Sequence, residues 1–175
     1  MRFDVVTLFP EIFSAVRDCG ITARARMRGL WSMNCWNPRD TATDLHRTID
    51  DRPFGGGPGM VMMAEPLAQT IDAVRASGNR GPILSFAPNG ARLTDARVRE
   101  IAAAKEPIVL VCGRYEGIDE RFLESYVDEV VSLGDFVLSG GELPACALID
   151  AVVRQLPGAI KDLSASDESF ATGLL

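Results

Sequence analysis

The chain has 175 residues, of which 47% are hydrophobic and 24% are charged, a balance that excludes a disordered or fibrous protein and predicts one folded domain. No apolar run approaches the roughly 20 residues of a membrane-spanning helix, and the amino terminus opens without an apolar signal core, so we expect a cytoplasmic protein with no membrane partner. The formal net charge of -6 at pH 7 argues, taken alone, against a nucleic-acid partner.

Short apolar runs alternate with helical segments along most of the chain. The first run covers residues 5–9, and Pro10 then suits the first position of a helix that extends to about Cys19. Further strand-and-helix pairs are predicted at 83–86 with 95–104, at 108–112 with 118–124, and at 129–133 with 142–155. Continuous apolar strands of this length are typical of parallel sheets covered on both faces, so the predicted fold class is α/β.

Two segments depart from this alternation. Residues 37–60 are polar and then rich in glycine, and a loop of this length in a compact domain is usually functional. The residues after Gly158 form no obvious closing element of the fold, and we interpret them as a linker. We therefore expect one domain over residues 1–160 and the start of an interdomain linker over residues 161–175.

Three glycine-containing turns are predicted directly after strands, at 87–90, 113–117 and 134–142. In open parallel sheets, ligands bind where the strands deliver their carboxyl ends. Glycine at such a turn permits a positive φ or a close approach of the backbone to a ligand. Any one of these turns could be a plain connection, but three after successive strands favour a small-molecule site.

Familiar nucleotide-binding motifs do not match these glycines. The triple glycine at 55–57 is followed by Pro58 rather than by the Gly-Lys-Ser/Thr of a phosphate-binding loop, and no Gly-x-Gly-x-x-Gly follows the first strand. A Gly-x-Ser-x-Gly nucleophile elbow is absent as well. Kinase, GTPase, NAD-dehydrogenase and serine-hydrolase functions are therefore disfavoured.

The cysteines predict neither a metal site nor a disulfide framework, whereas the arginines allow two interpretations. The four cysteines and the single His46 are too widely spaced for a zinc site, and a disulfide framework would suit a smaller secreted chain, so we expect the cysteines to be reduced and mostly buried. The basic side chains are nearly all arginine, and Arg24, Arg26, Arg28 and Arg39 lie close together in the sequence. Arginine suits phosphate contacts and base stacking, so they predict a local RNA-facing patch, although a solvated helix face would explain them equally well.

Four segments of the chain resemble those of the TrmD family, the bacterial tRNA (guanine-N1)-methyltransferases of the SPOUT superfamily. They are residues 8–11, 50–60, 113–121 and 133–145. The resemblance extends from end to end and follows the family order. It implies a SPOUT-type parallel sheet flanked by helices with a C-terminal trefoil knot, which is a rare exception to unthreaded connections. It also implies methylation of N1 of the guanosine immediately 3′ of the anticodon in tRNA, with S-adenosylmethionine as the methyl donor.

The resemblance further implies a cofactor pocket built from three loops of the knot. Backbone groups of these loops would read the adenine edge, and leucine side chains would supply apolar contact. Carried onto this sequence, the pocket residues are Phe86, Ala87, Pro88, Gly113, Arg114, Tyr115, Glu116, Ser132, Leu133, Gly134, Asp135, Phe136, Val137, Leu138, Gly140, Gly141 and Pro144. Activity in the family depends on magnesium, for which Glu116 and the acidic residues of the linker are the candidate contacts.

Methylation at N1 requires a base, because N1 of guanine carries a proton at neutral pH. A cation beside the guanine carbonyl oxygen would stabilise the negative charge that develops. The resemblance assigns the cation to Arg154 and the base to an acidic residue that precedes a Ser-Phe pair. In the family an aspartate directly precedes the serine, whereas here Glu168 stands at that position and Asp167 precedes it. Position favours Glu168, and residue type favours Asp167.

The partners implied by the resemblance are tRNA and a second copy of the chain. In the implied homodimer, the linker of one subunit reaches the pocket of the other, and a further tRNA-binding domain follows the linker. The candidate tRNA contacts are Arg24, Arg26, Arg28, His46 and Arg52. Two alternatives stay open, which are a SPOUT methyltransferase acting on another RNA and a cofactor- or RNA-binding module without activity in this form.

Overall fold

The computed structural model describes residues 1–160, and its centre is a five-stranded parallel sheet. In chain order the strands are β1 (Arg2–Val6), β2 (Ser32–Trp36), β3 (Asp50–Asp51), β4 (Val61–Met62), β5 (Ile83–Arg92), β6 (Ile108–Val111) and β7 (Glu129–Ser132). The order across the sheet is β2-β1-β6-β5-β7, and each neighbouring pair is parallel. Strands β3 and β4 form a separate antiparallel pair. The predicted α/β class is confirmed.

Helices cover both faces of this sheet. They are α1 (Ser14–Arg17), α2 (Gly20–Met27), α3 (Ala64–Ala76), α4 (Asp95–Ala104), α5 (Glu120–Tyr126) and α6 (Glu142–Gln155), with short 3-10 helices at Pro10–Phe13 and Pro38–Asp40. Helices α2, α4 and α6 share one apolar core with Phe3 and Val5, whereas α3 and α5 share the other with Val6. The two cores follow from the alternation of side chains along a strand. Through residue 160, no helix combines the length and apolarity needed to cross a bilayer.

Helix α6 is central to the site because it begins at the cavity described below. Pro144 lies in its first turn, where the missing N–H breaks no helical hydrogen bond. Its buried residues Ala145, Leu148, Ile149, Val152 and Val153 recur at helical spacing and form one apolar stripe. The same periodicity predicted this helix from the sequence with its observed bounds.

Some predicted boundaries were wrong by a few residues. The first strand ends at Val6 rather than at residue 9, because Val6 is the last residue of β1 paired with Trp36 of β2 and with Val111 of β6. The helix after Pro10 is a short 3-10 turn followed by α1, which ends at Arg17. Helix α5 begins at Glu120 because the Asp119 side chain caps it by accepting from the Arg121 amide.

The predicted turn at 87–90 was also wrong. Strand β5 continues to Arg92, and both Phe86 and Ala91 pair with Val131, so the residues between them form a bulge rather than the end of the strand. Gly90 lies in this bulge, where a Cβ atom would come within 2.6 Å of the Val130 carbonyl oxygen. Here glycine is required for space.

Three elements had no clear signal in the sequence. Helix α2 begins at Gly20 with no side-chain cap, and β2 is a half-exposed edge strand whose sequence contains no continuous apolar run. Helix α3 follows the glycine-rich segment, from which only the two-residue strand β4 and Met63 separate it. The long loop 37–60 also contains a 3-10 helix and strand β3, so it is less irregular than its composition predicted.

Candidate functional site

A cavity of about 320 Å³ opens beside the ends of β6 and β7 and the bulge of β5. Three segments line it, namely residues 85–88, residues 113–118, and residues 130–141 without 135. Its volume lies at the lower end of the range for small-molecule sites, and its place at the carboxyl edge is where parallel sheets bind ligands. The three separate stretches of sequence therefore meet in one site.

The predicted pocket residues assemble almost completely. Each of them lines the cavity except Asp135, which is exposed and lies outside the lining. Residues that the sequence analysis missed are Ser85, Gly117, Ile118, Glu120, Leu123, Val130, Val131 and Ser139. Most adjoin predicted positions in the chain, which was the available signal, whereas Glu120 and Leu123 reach the cavity only because α5 packs beside it.

The loop at 113–117 is fastened to the glycine-rich segment of the long loop. The Glu116 amide donates to the Met60 carbonyl and the Met62 amide donates to the Gly117 carbonyl, each at 2.9 Å. Gly59 has a left-handed φ of +78°, and any Cβ atom there would collide with the Glu116 side chain. Two of the segments that carry the family resemblance thus form one structural unit.

Tyr115 adopts a left-handed φ of +58°, which is uncommon for a residue other than glycine. Burial and the nearby Asp50 carboxylate raise the pKa of the Tyr115 hydroxyl, and Arg39 opposes this effect. The ring therefore lies where the cavity wall meets the long loop. Strain of this kind is concentrated at functional sites, where the surrounding structure holds it.

The cavity segment at residues 130–141 is held by its own polar groups and by the segment at residues 113–118. The Ser132 hydroxyl donates to the Gly134 carbonyl and accepts from the Gly134 amide, both at 3.2 Å. The Gly141 amide donates to the Gly113 carbonyl at 2.9 Å, and a Cβ atom at Gly141 would lie 2.7 Å from Cys112 Cα. Among the cavity glycines only Gly117 has a positive φ, so Gly140 and Gly141 are required for close packing instead.

One ion pair is built into the cavity wall. Arg114 Nε lies 2.8 Å from Glu142 Oε2, and the Glu142 side chain is only 1% exposed. Glu116 and Glu120 are exposed lining residues. With Arg114 paired, the remaining charge of the lining is negative, which favours a cationic ligand over an anionic one.

The cysteines are free, but the expectation that most are buried was wrong. Cys112 is buried, Cys35 and Cys146 are half-buried, and Cys19 is exposed. Burial raises the pKa of Cys112 well above its ordinary value and that of Cys146 to about 11, and the Glu142 charge adds to both shifts. Both thiols therefore stay protonated at neutral pH and are poor nucleophiles.

The candidate catalytic residues lie away from the cavity or beyond the described range. Arg154 is half-buried in the last turn of α6 and does not line the cavity. At 1.5 Å per residue, it stands about 18 Å along the helix axis from Glu142. Asp167 and Glu168 fall outside the described residues.

The candidate RNA-binding residues form two groups. Arg24, Arg26 and Arg28 belong to α2 or its C-terminal end, and α2 packs with α6 on one face of the sheet. His46 and Arg52 are exposed on the long loop, whose 3-10 helix packs with α3 on the other face. Arg28 donates to the Gly158 carbonyl at 2.9 Å, and Arg26 contacts Asp18 at 3.5 Å. In one copy of the chain they do not form a single patch.

A metal centre has no ready-made ligand set in the part of the chain that the structure describes. Across residues 1–160, the side chains of His, Cys, Asp and Glu form no group of three or more able to hold an ion. Glu116, the candidate magnesium contact, is an exposed lining residue. The assignment of magnesium to Glu116 stays a prediction.

A parallel sheet with a glycine-lined cavity at its carboxyl edge defines an α/β protein with a small-ligand site. Comparison with known proteins narrows this class, because the profile described as tRNA (Guanine-1)-methyltransferase TrmD matches residues 1–175. The chain belongs to this family.

Relatives named tRNA (guanine-N(1)-)-methyltransferase align with the whole chain. One from Thiobacillus denitrificans is 60% identical, and the alignment covers 76% of that protein. One from Pseudomonas syringae pv. tomato is 55% identical, with 70% of that protein covered. The crystal structure of tRNA (m1G37) methyltransferase from Aquifex aeolicus superposes with a TM-score of 0.85 at 41% identity, covering 93% of this chain and 72% of that one.

Proposed function

We propose that this chain transfers a methyl group from S-adenosylmethionine to N1 of the guanosine immediately 3′ of the anticodon in tRNA. The observation that carries the proposal is the convergence of residues 85–88, 113–118 and 130–141 on one cavity in a chain of the TrmD family. The names of its relatives supply the reaction, and the cavity supplies a place for the methyl donor.

The residues of the cavity fit such a donor. Adjacent glycines at 140 and 141 let backbone line the cavity, and Leu133 and Leu138 add apolar surface for an adenine ring. The acidic side chains of Glu116 and Glu120 suit a positively charged ligand. When bound, S-adenosylmethionine supplies an electrophilic methyl group on a sulfonium with a neutral leaving group.

The protein must activate the acceptor. We assign removal of the N1 proton to Glu168 or Asp167, and we assign stabilisation of the charge on the guanine carbonyl oxygen to Arg154. Neither carboxylate lies among the described residues. Positioning of the guanine relative to the donor supplies the remaining rate acceleration.

We propose a homodimer with a composite active site, and the place of Arg154 supports it. Because Arg154 lies about 18 Å along α6 from the start of that helix, it is distant from the cavity of its own chain. A second copy that brings its Arg154 and its residues 161–175 to this cavity would complete the site. On this proposal, the domain over residues 1–160 provides the pocket and the segment 161–175 acts as a linker that carries the base.

A trefoil knot of the SPOUT type is proposed for the segment between β5 and α6. Strand β7 is the edge strand of the sheet, yet the chain after it returns to pack Gly141 against Cys112 and Gly113, past the end of β6. Helix α6 then packs with α4 and α2. This return of the chain from the edge strand β7 past β5 to the end of β6 supports a threaded connection.

Two further assignments come from the family resemblance. Magnesium is proposed to act with Glu116 and the acidic residues of the linker, and tRNA is proposed to contact Arg24, Arg26, Arg28, His46 and Arg52. The exposed position of His46 and Arg52 on the loop that adjoins the cavity supports the second assignment for these two residues.

Two measurements test the proposal. Titration calorimetry of the 175-residue chain with S-adenosylmethionine should give saturable binding, and methylation of tRNA should require guanosine or inosine at the target position because both carry an N1 proton. Binding without any methylation, even by a chain extended to the length of its relatives, would favour a binding module. Methylation of a different RNA would favour another member of the SPOUT superfamily.

A further inference from the structure

Glu142 is a buried carboxylate that the proposed chemistry does not use. It stands in the first turn of α6, where the helix dipole favours a negative charge, and it is 1% exposed. Burial of a carboxylate is costly unless its oxygens are paired. Both are, because Oε2 lies 2.8 Å from Arg114 Nε and Oε1 accepts from the Thr7 hydroxyl at 2.9 Å.

Arg114 is held on several sides. Its guanidinium carbon lies 4.3 Å from the centre of the Phe9 ring, in cation-π geometry, and its Nη1 donates to the Ser139 carbonyl at 3.1 Å. Its backbone amide also contacts Met62 Sδ at 3.3 Å. The side chain is 18% exposed and lines the cavity, so its position shapes the cavity wall.

The contacts close into a ring of four residues. The Thr7 hydroxyl that donates to Glu142 accepts from the Phe9 amide at 3.0 Å, and Phe9 in turn stacks on Arg114. This ring, Thr7-Phe9-Arg114-Glu142, joins the end of β1, the cavity loop 113–117 and the start of α6. It also gives a role to the motif at residues 8–11, which the proposed reaction leaves unexplained.

Gly140 provides independent evidence that the ring is built for close approach. A Cβ atom at this position would collide with Arg114 Nε and would lie 2.6 Å from Arg114 Cδ and 2.7 Å from Glu142 Oε2. The φ of Gly140 is not left-handed, so glycine is required there for space rather than for conformation. The third cavity segment thus lies against the ion pair with no side chain between them.

We propose that Glu142, together with Thr7 and Phe9, is a positioning residue that fixes the Arg114 side chain and thereby the shape of the donor-binding loop 113–117. Arg114 is held in the cavity wall with its charge compensated. An apolar core of similar volume could stabilise the fold equally well, but it would not orient a guanidinium towards Ser139 and Phe9. The inference rests on the proposed function only in naming S-adenosylmethionine as the ligand of this loop.

A double-mutant cycle on the 175-residue chain tests this inference. The variants are Glu142→Gln, Arg114→Met and the combination of both, with Asp95→Asn as a matched control that removes the carboxylate of the Arg99–Asp95 ion pair outside the cavity. We expect each single variant to weaken S-adenosylmethionine binding at least tenfold in calorimetry. The double variant should lose no more affinity for S-adenosylmethionine than the single variant with the larger loss, because both changes remove the same interaction.

Hydrogen exchange of the free protein provides a readout that does not depend on the ligand. In Glu142→Gln, the amides of residues 113–117 should exchange faster than in the wild type, and those of α4 should not. If wild-type chain fails to bind S-adenosylmethionine, the proposed function is wrong, while the exchange result still tests the ring.

Two milder variants cover the case in which Glu142→Gln does not fold. Thr7→Val removes one hydrogen bond and Phe9→Leu removes the aromatic face while keeping an apolar side chain, so each should weaken binding about threefold. Two results would overturn the inference. One is unchanged hydrogen exchange of loop 113–117 in both Thr7→Val and Phe9→Leu. The other is a double variant of the cycle whose loss of affinity equals the product of the two single-variant losses.

Discussion

The amide of Gly141, which directly precedes α6, donates to the carbonyl of Gly113, which follows β6, at 2.9 Å. This single hydrogen bond joins two glycine-containing segments that are more than twenty positions apart in the sequence. It places the start of α6 against the cavity loop at 113–117, and with it the buried carboxylate of Glu142. The shape of the cavity therefore depends on how closely these two backbones approach each other.

Alanine at these two glycines should have different effects. In Gly141→Ala the new Cβ would lie 2.7 Å from Cys112 Cα, so we expect a loss of about 1–3 kcal/mol of unfolding free energy together with weakened donor binding. In Gly113→Ala the nearest atoms belong to the Ile118 side chain at 3.4 Å, so stability should be retained. Urea denaturation and calorimetry with S-adenosylmethionine separate the two effects. Equal stability losses in both variants would contradict the packing argument.

Asp4 should make folding stability dependent on pH in acid. Burial tends to raise the pKa of Asp4, but hydrogen bonds from Arg2, Asn79, Trp36 and Asn34 outweigh burial and lower it below the ordinary value of 3.8. A lowered pKa in the folded state stabilises the protein above pH 3.8, and this stabilisation is lost as the pH falls through the lower, folded-state value.

The matching variant is Asp4→Asn, which keeps the shape of the side chain and removes its charge. We expect it to cost about 3 kcal/mol at pH 7, because it leaves buried donors without an anionic acceptor. The difference from the wild type should shrink as the pH is lowered below 3.8. Denaturation midpoints measured between pH 7 and pH 3 check this, and a difference that is constant across the range would refute it. Asp18→Asn, at an exposed ion pair, is the control.

The cysteines should differ in their reactivity. Burial raises the pKa of Cys112 and Cys146, so little thiolate forms at either site near neutral pH, whereas Cys19 is exposed. Mass spectrometry after brief treatment with iodoacetamide at pH 7.5 should show modification of Cys19 first, with Cys112 unmodified until the chain is unfolded. Early labelling of Cys112 would show that the packing between Cys112 and Gly141 opens in solution.

The two groups of arginines predict different effects on tRNA. Arg52 belongs to the loop that adjoins the cavity, so Arg52→Ala should raise KM for tRNA about fivefold. The slope of log affinity against log salt concentration should become shallower by about one, because one phosphate contact is lost. Arg24 lies on α2 on the other face of the sheet, and Arg24→Ala should have a smaller effect. Steady-state kinetics at several salt concentrations make the comparison, and equal effects would place both groups on one tRNA surface.

Mixing two inactive variants should restore activity if the site is composite. Arg154→Ala keeps its cavity, and Gly113→Val, whose cavity is narrowed, keeps its Arg154. A mixed dimer therefore contains one complete site, and random assortment predicts about a quarter of the wild-type rate. The measurement is tRNA methylation after the two variants are mixed and allowed to exchange subunits. No recovery, with mixed dimers demonstrated by mass, would place Arg154 and the cavity function on the same chain.

Local pattern was sufficient for much of the fold. Helices α4 and α6 occur at their predicted bounds, because each has an apolar stripe at helical spacing. Thr94 also caps the start of α4, and Pro144 lies in the first turn of α6. Strands β6 and β7 were predicted to within one residue, because continuous apolar runs are characteristic of buried parallel strands. Helix α2 and strand β2 lack such patterns, and only their packing against α6 and β1 makes them stable elements.

The pocket shows the same division between what local sequence predicts and what only packing decides. Resemblance in short motifs identified about two thirds of its lining, but Leu123 lies in no such motif, and it reaches the cavity because α5 packs beside it. Sequence also could not indicate that residues 87–90 would be a bulge in β5, since the pairing of both Phe86 and Ala91 with Val131 is a contact between distant strands. The ring that includes Thr7 and Glu142 joins residues 135 positions apart.

By itself, the sequence determined the α/β class, the principal helices and strands, and the family, because hydrophobic periodicity and motif order are properties of neighbouring residues. Only the tertiary structure decided which glycines are needed for space, how far Arg154 lies from the cavity, and which carboxylate compensates Arg114. Those features depend on distances between segments that are remote in the chain, and such distances are set by the packing of the whole sheet and its helices.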